Sequence, residues 1–264
     1  MIIHPFTYIQ PDTKEQAYEV YQEYSQPLYY AGGSEIITMC RTGSITPDAV
    51  IDLKRIPEAN VVHIDDDLVI GSCISLRAIK DSALFPLLGT ICGRIADHTN
   101  QCRITLGGNL CSTIQYRETA LAMLLTDANL VLFGSHGLRV VSIHTIFDGR
   151  MHLERGEFVL QVRIPTRYIN LPYTHVKKTS GEKIDYPLIS VSSLTCSDGT
   201  RFAISGFLNH PFRNREMEAA LNQRNMNDAL ECIPNAPKTD YQGSSEYRRF
   251  VLQQTLTATL DVIT

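Results

Sequence analysis

No tryptophan occurs in these 264 residues, and the seven cysteines (Cys40, Cys73, Cys92, Cys102, Cys111, Cys196, Cys232) include no C-x-x-C pair. An odd, scattered set of this kind excludes a disulfide framework and offers no zinc or iron–sulfur ligand spacing, so the cysteines read as small buried hydrophobes. The eight histidines form no H-E-x-x-H, and G-x-S-x-G is absent, which leaves metallohydrolase and serine-hydrolase chemistry without an anchor. No stretch of about 18 apolar residues occurs, and the start, MIIHPFTYIQ, has no basic segment leading into an apolar core. A formal net charge of -4 supplies no positive field for nucleic acid. The expectation is a soluble, intracellular protein of the cytoplasm with neither nucleic acid nor membrane as partner.

What is present is enough apolar side chain, 44% of residues, to bury one or two cores. Ala17, Tyr18, Val20, Tyr21 and Tyr24 recur at helical spacing after Thr13, and Pro27 closes that stretch ahead of a short strand, Leu28 to Ala31. The runs VVHI and LVIGSCI flank Asp65-Asp66-Asp67 and read as a hairpin with a solvated acidic tip. Helices are expected near Leu76 to Lys80, Phe85 to Ala96 and Glu118 to Thr126, the last followed by the strand LVLF. FVLQVRI ends at Pro165, and PTRYINLPY reads as a linker. Beyond it come strands around HVKK, LISVSSLTC and RFAISGFL, a helix from Glu216 to Leu221, and a last helix from Ser245 to Val262 that would pack through Phe250, Val251, Leu256 and Leu260. Strands first and helices last suggest an α+β unit.

Two segments carry a chemical signal: Y-A-G-G-S-E from Tyr30 to Glu35 and T-L-G-G-N from Thr105 to Asn109. Adjacent glycines let the backbone take positive φ and turn successive N–H groups into a concavity that suits a phosphate. Ser34, Thr105 and Asn109 add side-chain donors. Neither segment fits G-x-G-x-x-G or the P-loop pattern, which disfavours a Rossmann fold or a P-loop NTPase. Composition and spacing reach a soluble protein of helices and strands with two turns able to grip a nucleotide diphosphate.

At these same residues the chain resembles the FAD-binding subunit of the xanthine dehydrogenase and carbon monoxide dehydrogenase family of molybdenum hydroxylases, whose motifs read A-G-G-T-D and T-I-G-G-N. Further agreement lies in V-I-D-L-K-R-I-P-E-A from Val50, L-V-I-G-S, D-A-N-L from Asp127, R-I-P ending at Pro165, H-V-K from His175, P-F-R from Pro211 and G-S-S-E-Y-R from Gly243. The resemblance implies an α+β fold: a two-lobed FAD-binding domain of the p-cresol methylhydroxylase type over 1–166, with lobes of about 1–55 and 56–166. A small α+β C-terminal domain over 172–264 would follow.

Carried over position by position, the family's cofactor contacts fall on Leu28, Tyr29, Tyr30, Ala31, Gly32, Gly33, Ser34 and Glu35, and on Thr105, Leu106, Gly107, Gly108 and Asn109. Glu118 stands where the family has an aspartate thirteen residues after the motif's Thr, and Ile95 lies ten residues before Thr105 at a flavin-side position. Val159, six residues before the Pro of R-I-P, would touch the flavin, as would Lys177, twelve residues after it. The family's Lys-x-x-x-Arg-x-x-x-Asp stands here as Lys177, Gly181 and Asp185, without its arginine. No metal ligand and no general base is assigned. The implied partners are a large subunit with the molybdenum cofactor, a small subunit with two two-iron, two-sulfur clusters, and NAD or another acceptor. FAD would pass on electrons from the oxidation of a purine-like substrate elsewhere in the complex. A self-sufficient FAD oxidase and a nucleotide-binding accessory protein without turnover are the alternatives.

Overall fold

In the computed structural model, residues 2, 4–182, 184–233 and 237–263 are described. The chain begins with β1 (Thr7–Ile9), α1 (Lys14–Glu23), β2 (Pro27–Tyr30), α2 (Ser34–Thr42) and β3 (Ala49–Asp52). Thr13 starts α1 by accepting the Gln16 N–H at 3.2 Å, the expected cap of an amphipathic helix. α1 lays Ala17 and its tyrosines over the strands, and with helical crossovers available the three strands pair in parallel, in the order β1-β3-β2.

A five-stranded antiparallel sheet follows, ordered β4 (Val62–Ile64), β5 (Asp67–Gly71), β8 (Phe158–Pro165), β6 (Asn129–Gly134) and β7 (Gly137–Ser142). β4 and β5 form the hairpin expected from the acidic turn. One face of this sheet is covered by short helices: α3 (Leu76–Ser82), α4 (Pro86–Cys92), α5 (His98–Gln101), α6 (Leu106–Leu110), α7 (Thr119–Leu125) and α8 (Ile143–Ile146). α4 stops at Cys92 rather than Ala96: Gly93 is its C-cap, and the Arg94 N–H donates to Ile91 O at 2.9 Å, tightening the chain out of the helix. Every residue of α7 is buried, the mark of a helix packed on all sides.

The reason is a third sheet, antiparallel in the order β12 (Phe212–Arg213), β11 (Gly199–Ser205), β10 (Ile189–Cys196), β9 (Tyr173–Lys178), which lies against α7. Leu194 and Ala203 face the first core, while Ile189, Val191, Phe202 and Ile204 face α9 (Arg215–Asn222), α10 (Met226–Glu231) and α11 (Ser245–Val262). α11 packs through Leu252 and Leu256, whereas Phe250 is exposed, because positions 252 and 256 are one helical turn apart on the inner face. PTRYINLPY is no free linker: it makes a 3-10 turn at Thr166–Tyr168 and buries Tyr168 and Ile169 in the first core.

Polar side chains fasten this second layer. Arg248 of G-S-S-E-Y-R is fully buried, donating to Leu188 O at 2.5 Å and Gly206 O at 2.6 Å and pairing with Asp240 at 2.7 Å. Asp127 of D-A-N-L, at the end of α7, takes Arg201 at 2.7 Å, Arg213 at 2.9 Å and His144 at 2.8 Å. Burial alone would raise the Asp127 carboxyl, but the hydrogen bond to His144 and the charges of Arg201 and Arg213 hold it well below the usual carboxylate range. Its stabilising effect is therefore complete above the unfolded value near 4 and is lost as pH falls below it. Asp127→Asn should cost about 2 kcal/mol at pH 7, a buried-pair cost discounted for partial exposure. Thermal melts between roughly pH 6 and 3 would check this: the wild-type midpoint should fall toward that of the variant as the solution is acidified.

Candidate functional site

Between the parallel sheet and the five-stranded sheet lies a cavity of about 690 Å³, within the range of small-molecule and cofactor sites. Its walls are set by close backbone approaches. A Cβ on Gly32 would collide with the Arg103 carbonyl, and one on Gly107 would lie 2.6 Å from the Ser72 Cβ. Gly33 is different: at φ 74 it is the left-handed residue that turns β2 into α2, and a side chain there would also strike the Tyr30 ring. Gly32, Gly107 and Gly108 have no positive φ, so of the four motif glycines only Gly33 plays the conformational part expected of all of them.

The two motifs also differ in kind. T-L-G-G-N is a capped helix start rather than a turn, with Thr105 as N-cap of α6. Its N–H groups are already used: Leu106 donates to Ile74 O at 2.9 Å, Gly107 to Ser72 O at 2.9 Å, Gly108 to Thr105 Oγ1 at 3.1 Å and Asn109 to Thr105 O at 2.8 Å. This segment builds the wall and keeps no backbone nest for a phosphate. The first motif does remain open, since α2 starts with no side-chain cap. The Ser34 and Ser72 hydroxyls lie buried in the cavity wall without a hydrogen-bond partner among the described residues.

No lysine, arginine or histidine lines the cavity among the described residues; its charged lining residues are Glu35 and Glu157. Both acids are engaged: Glu35 Oε1 accepts the Thr113 N–H at 2.9 Å and the Thr113 hydroxyl, and Glu157 pairs with Arg139. Glu35 thereby straps α2 to the loop before α7. Cys111 is in the lining too, as an exposed free cysteine.

Tyr29, Tyr30, Ala31, Gly32, Gly33, Ser34, Glu35, Thr105, Gly107, Gly108, Asn109 and Val159 come together in this lining. Leu28, Leu106 and Ile95 stand outside it, with Leu106 and Ile95 in the first core. Asp185 stands beside it, accepting the N–H of Tyr186, which does line the cavity and stacks on Tyr116 with centroids 4.9 Å apart. Glu118 and Lys177 are also outside the lining and hold each other at 2.8 Å, with Lys177 donating in addition to Arg94 O at 2.9 Å. Burial pushes the Glu118 carboxyl up, against the pull of Lys177. His175, two residues away on β9, is driven down to about 3 by burial, with the Arg94 and Lys177 charges adding to it. Sequence reasoning did not single out Ser72 and Tyr186, although Ser72 closes L-V-I-G-S and Tyr186 follows Asp185.

Residues 4–167 match the family described as FAD binding domain in molybdopterin dehydrogenase. The chain belongs to that family, and FAD is its cofactor. It is 25% identical to the glyceraldehyde dehydrogenase medium chain of Sulfolobus acidocaldarius, over 94% of each chain. It is 26% identical to the carbon monoxide dehydrogenase medium chain of Afipia carboxidovorans, over 86% of this chain and 84% of that one. The fold is that of a chain of carbon monoxide dehydrogenase from Hydrogenophaga pseudoflava, with a TM-score of 0.90 at 21% identity over 99% of this chain and 98% of that one. No described helix is long and apolar enough to cross a membrane.

Two outcomes are expected. With no cation in the lining, FAD affinity should change by less than about threefold between roughly 0.05 and 0.5 M salt, measured by quenching of flavin fluorescence. Lys177→Met should cost about 3 to 5 kcal/mol in a denaturant titration by stranding the Glu118 carboxylate, and Glu118→Gln in the same chain should recover much of the loss.

Proposed function

We propose that this chain is the FAD-binding, electron-transfer subunit of a molybdenum hydroxylase of the xanthine dehydrogenase kind. The observation that carries the reading is the lining itself. It offers hydroxyls, backbone and apolar surface to a cofactor, but both of its carboxylates are engaged within the protein and no histidine lines it among the described residues. Such a lining binds and orients; it holds no free acid or base for oxidising an organic substrate. Bound FAD supplies two-electron storage, and the protein supplies placement and electrostatics.

Within this proposal, the uncapped start of α2 with Ser34 meets the cofactor diphosphate, Asn109 donates from the opposite wall, and Val159 and Tyr186 contact the ring system. Lys177, Glu118, Ile95 and Asp185 form the layer behind. The split into 1–166 and 172–264 assigns FAD to the first unit. A large subunit with the molybdenum cofactor and a small subunit with two two-iron, two-sulfur clusters would deliver electrons, and NAD or another acceptor would remove them. Relatives named medium chain or subunit support this reading. Their names span glyceraldehyde, caffeine, nicotinate, nicotine and carbon monoxide, so a purine substrate is the most specific part of the proposal. A cytoplasmic location belongs to the same reading.

The test is the absorption spectrum of the purified chain after FAD addition and desalting, followed by NADH. Retained flavin bleached by NADH supports nicotinamide as electron partner. Retained flavin that NADH leaves oxidised moves the acceptor to another molecule. A chain that retains no FAD and shows no fluorescence quenching contradicts the site.

A further inference from the structure

Asn109 stands in the cavity wall with its side-chain amide held from behind. Its Oδ1 accepts two hydrogen bonds from Thr119, one from the hydroxyl at 2.6 Å and one from the backbone N–H at 3.3 Å. A backbone N–H can only donate, so it fixes which end of the amide points inward: the oxygen faces Thr119 and the NH₂ group faces the other way. Asn109 Nδ2 donates to no described residue, yet it is not among the buried unpartnered atoms, and Asn109 lines the cavity. Thr119 itself is fully buried at the first position of α7 and stands outside this cavity's lining.

We infer that Thr119 is a positioning residue for the cofactor: it locks the Asn109 amide so that its NH₂ donates to an acceptor oxygen of bound FAD. The inference rests on the FAD reading of the cavity and adds a residue that touches no ligand. It also supplies what the wall lacks, since the backbone N–H groups of residues 106–109 are spent within the protein. A freely rotating amide could offer its oxygen to the phosphates as readily as its nitrogen. The lock removes that choice, and the orienting entropy is met during folding rather than on binding. The arrangement is local to the chain: α6 and α7 pack against each other, so the two residues hold their geometry without help from the parallel sheet.

The test is FAD titration of the full chain, followed by quenching of flavin fluorescence, with the melting temperature of the flavin-free chain measured alongside. Thr119→Val keeps the shape and removes the hydroxyl; it should weaken FAD binding roughly three- to tenfold. Thr119→Ser should restore binding to within about twofold, because the donor returns. In an Asn109→Ala background, Thr119→Val should have no further effect on affinity. Asn109→Asp keeps an acceptor for Thr119 but turns the donor facing the cavity into an anion, and should weaken binding more than Asn109→Ala while leaving the flavin-free melting temperature close to wild type.

Wild-type affinity in Thr119→Val, or an equal loss in the Asn109→Ala background, would overturn the positioning role. So would wild-type affinity in Asn109→Asp, the arm that decides if Thr119→Val does not fold. A wild-type chain that binds no FAD overturns the underlying cavity reading, an outcome distinct from all of these.

Discussion

The cavity exists because two stretches of backbone touch with no side chain between them. Gly32 meets the Arg103 carbonyl, so the turn after β2 lies against the segment between α5 and α6 at a separation that only hydrogen at position 32 permits, and Gly107 seats α6 on Ser72 at the end of β5 in the same way. Everything else in the site follows from that spacing. α2 begins at the edge of the gap because Gly33 turns the chain there, and the strap from Glu35 to Thr113 spans it. A larger residue at 32 would push the two walls apart, and one at 107 would lift α6 from β5; either alters the volume the cofactor must fill.

Charge is distributed so that the gap stays neutral in function. Of its two acids, Glu157 pairs with Arg139 and Glu35 is hydrogen-bonded by Thr113, and the cations that a diphosphate might have attracted are placed elsewhere, fastening layers. Arg201 and Arg213 close on Asp127, Arg248 on Asp240, and Lys177 on Glu118. Several motifs that recur in the family thus belong to the frame: the Asp of D-A-N-L, the Arg of P-F-R and the Arg of G-S-S-E-Y-R are all members of these pairs. Buried pairs of this sort are sensitive to loss of one partner, which explains how residues far from a ligand can matter to it.

Features settled within a few residues were legible in the sequence. α1 announced itself through Thr13 and its periodicity, the β4–β5 hairpin through its acidic turn, and α11 through its length. α6 did not, since five residues with two adjacent glycines contradict helix propensity and are held helical only by the Thr105 cap and the surrounding core. The meeting of Glu118 and Lys177 was hidden for another reason: the two lie 59 positions apart, and nothing local marks either as buried. The lock on Asn109 depends on a threonine ten positions away, at the start of a helix whose apolar character drew attention only to packing. The candidate cavity was legible through its glycines, but their work was misassigned: close approach at Gly32 and Gly107 looks identical, in sequence, to the left-handed turn required at Gly33.

A wall whose backbone donors are satisfied in advance does not wait for its ligand in order to take shape. The backbone N–H groups of residues 106–109 find their acceptors within the chain itself. Bound FAD would meet this wall already shaped, so the ordering of the segment belongs to folding and not to binding.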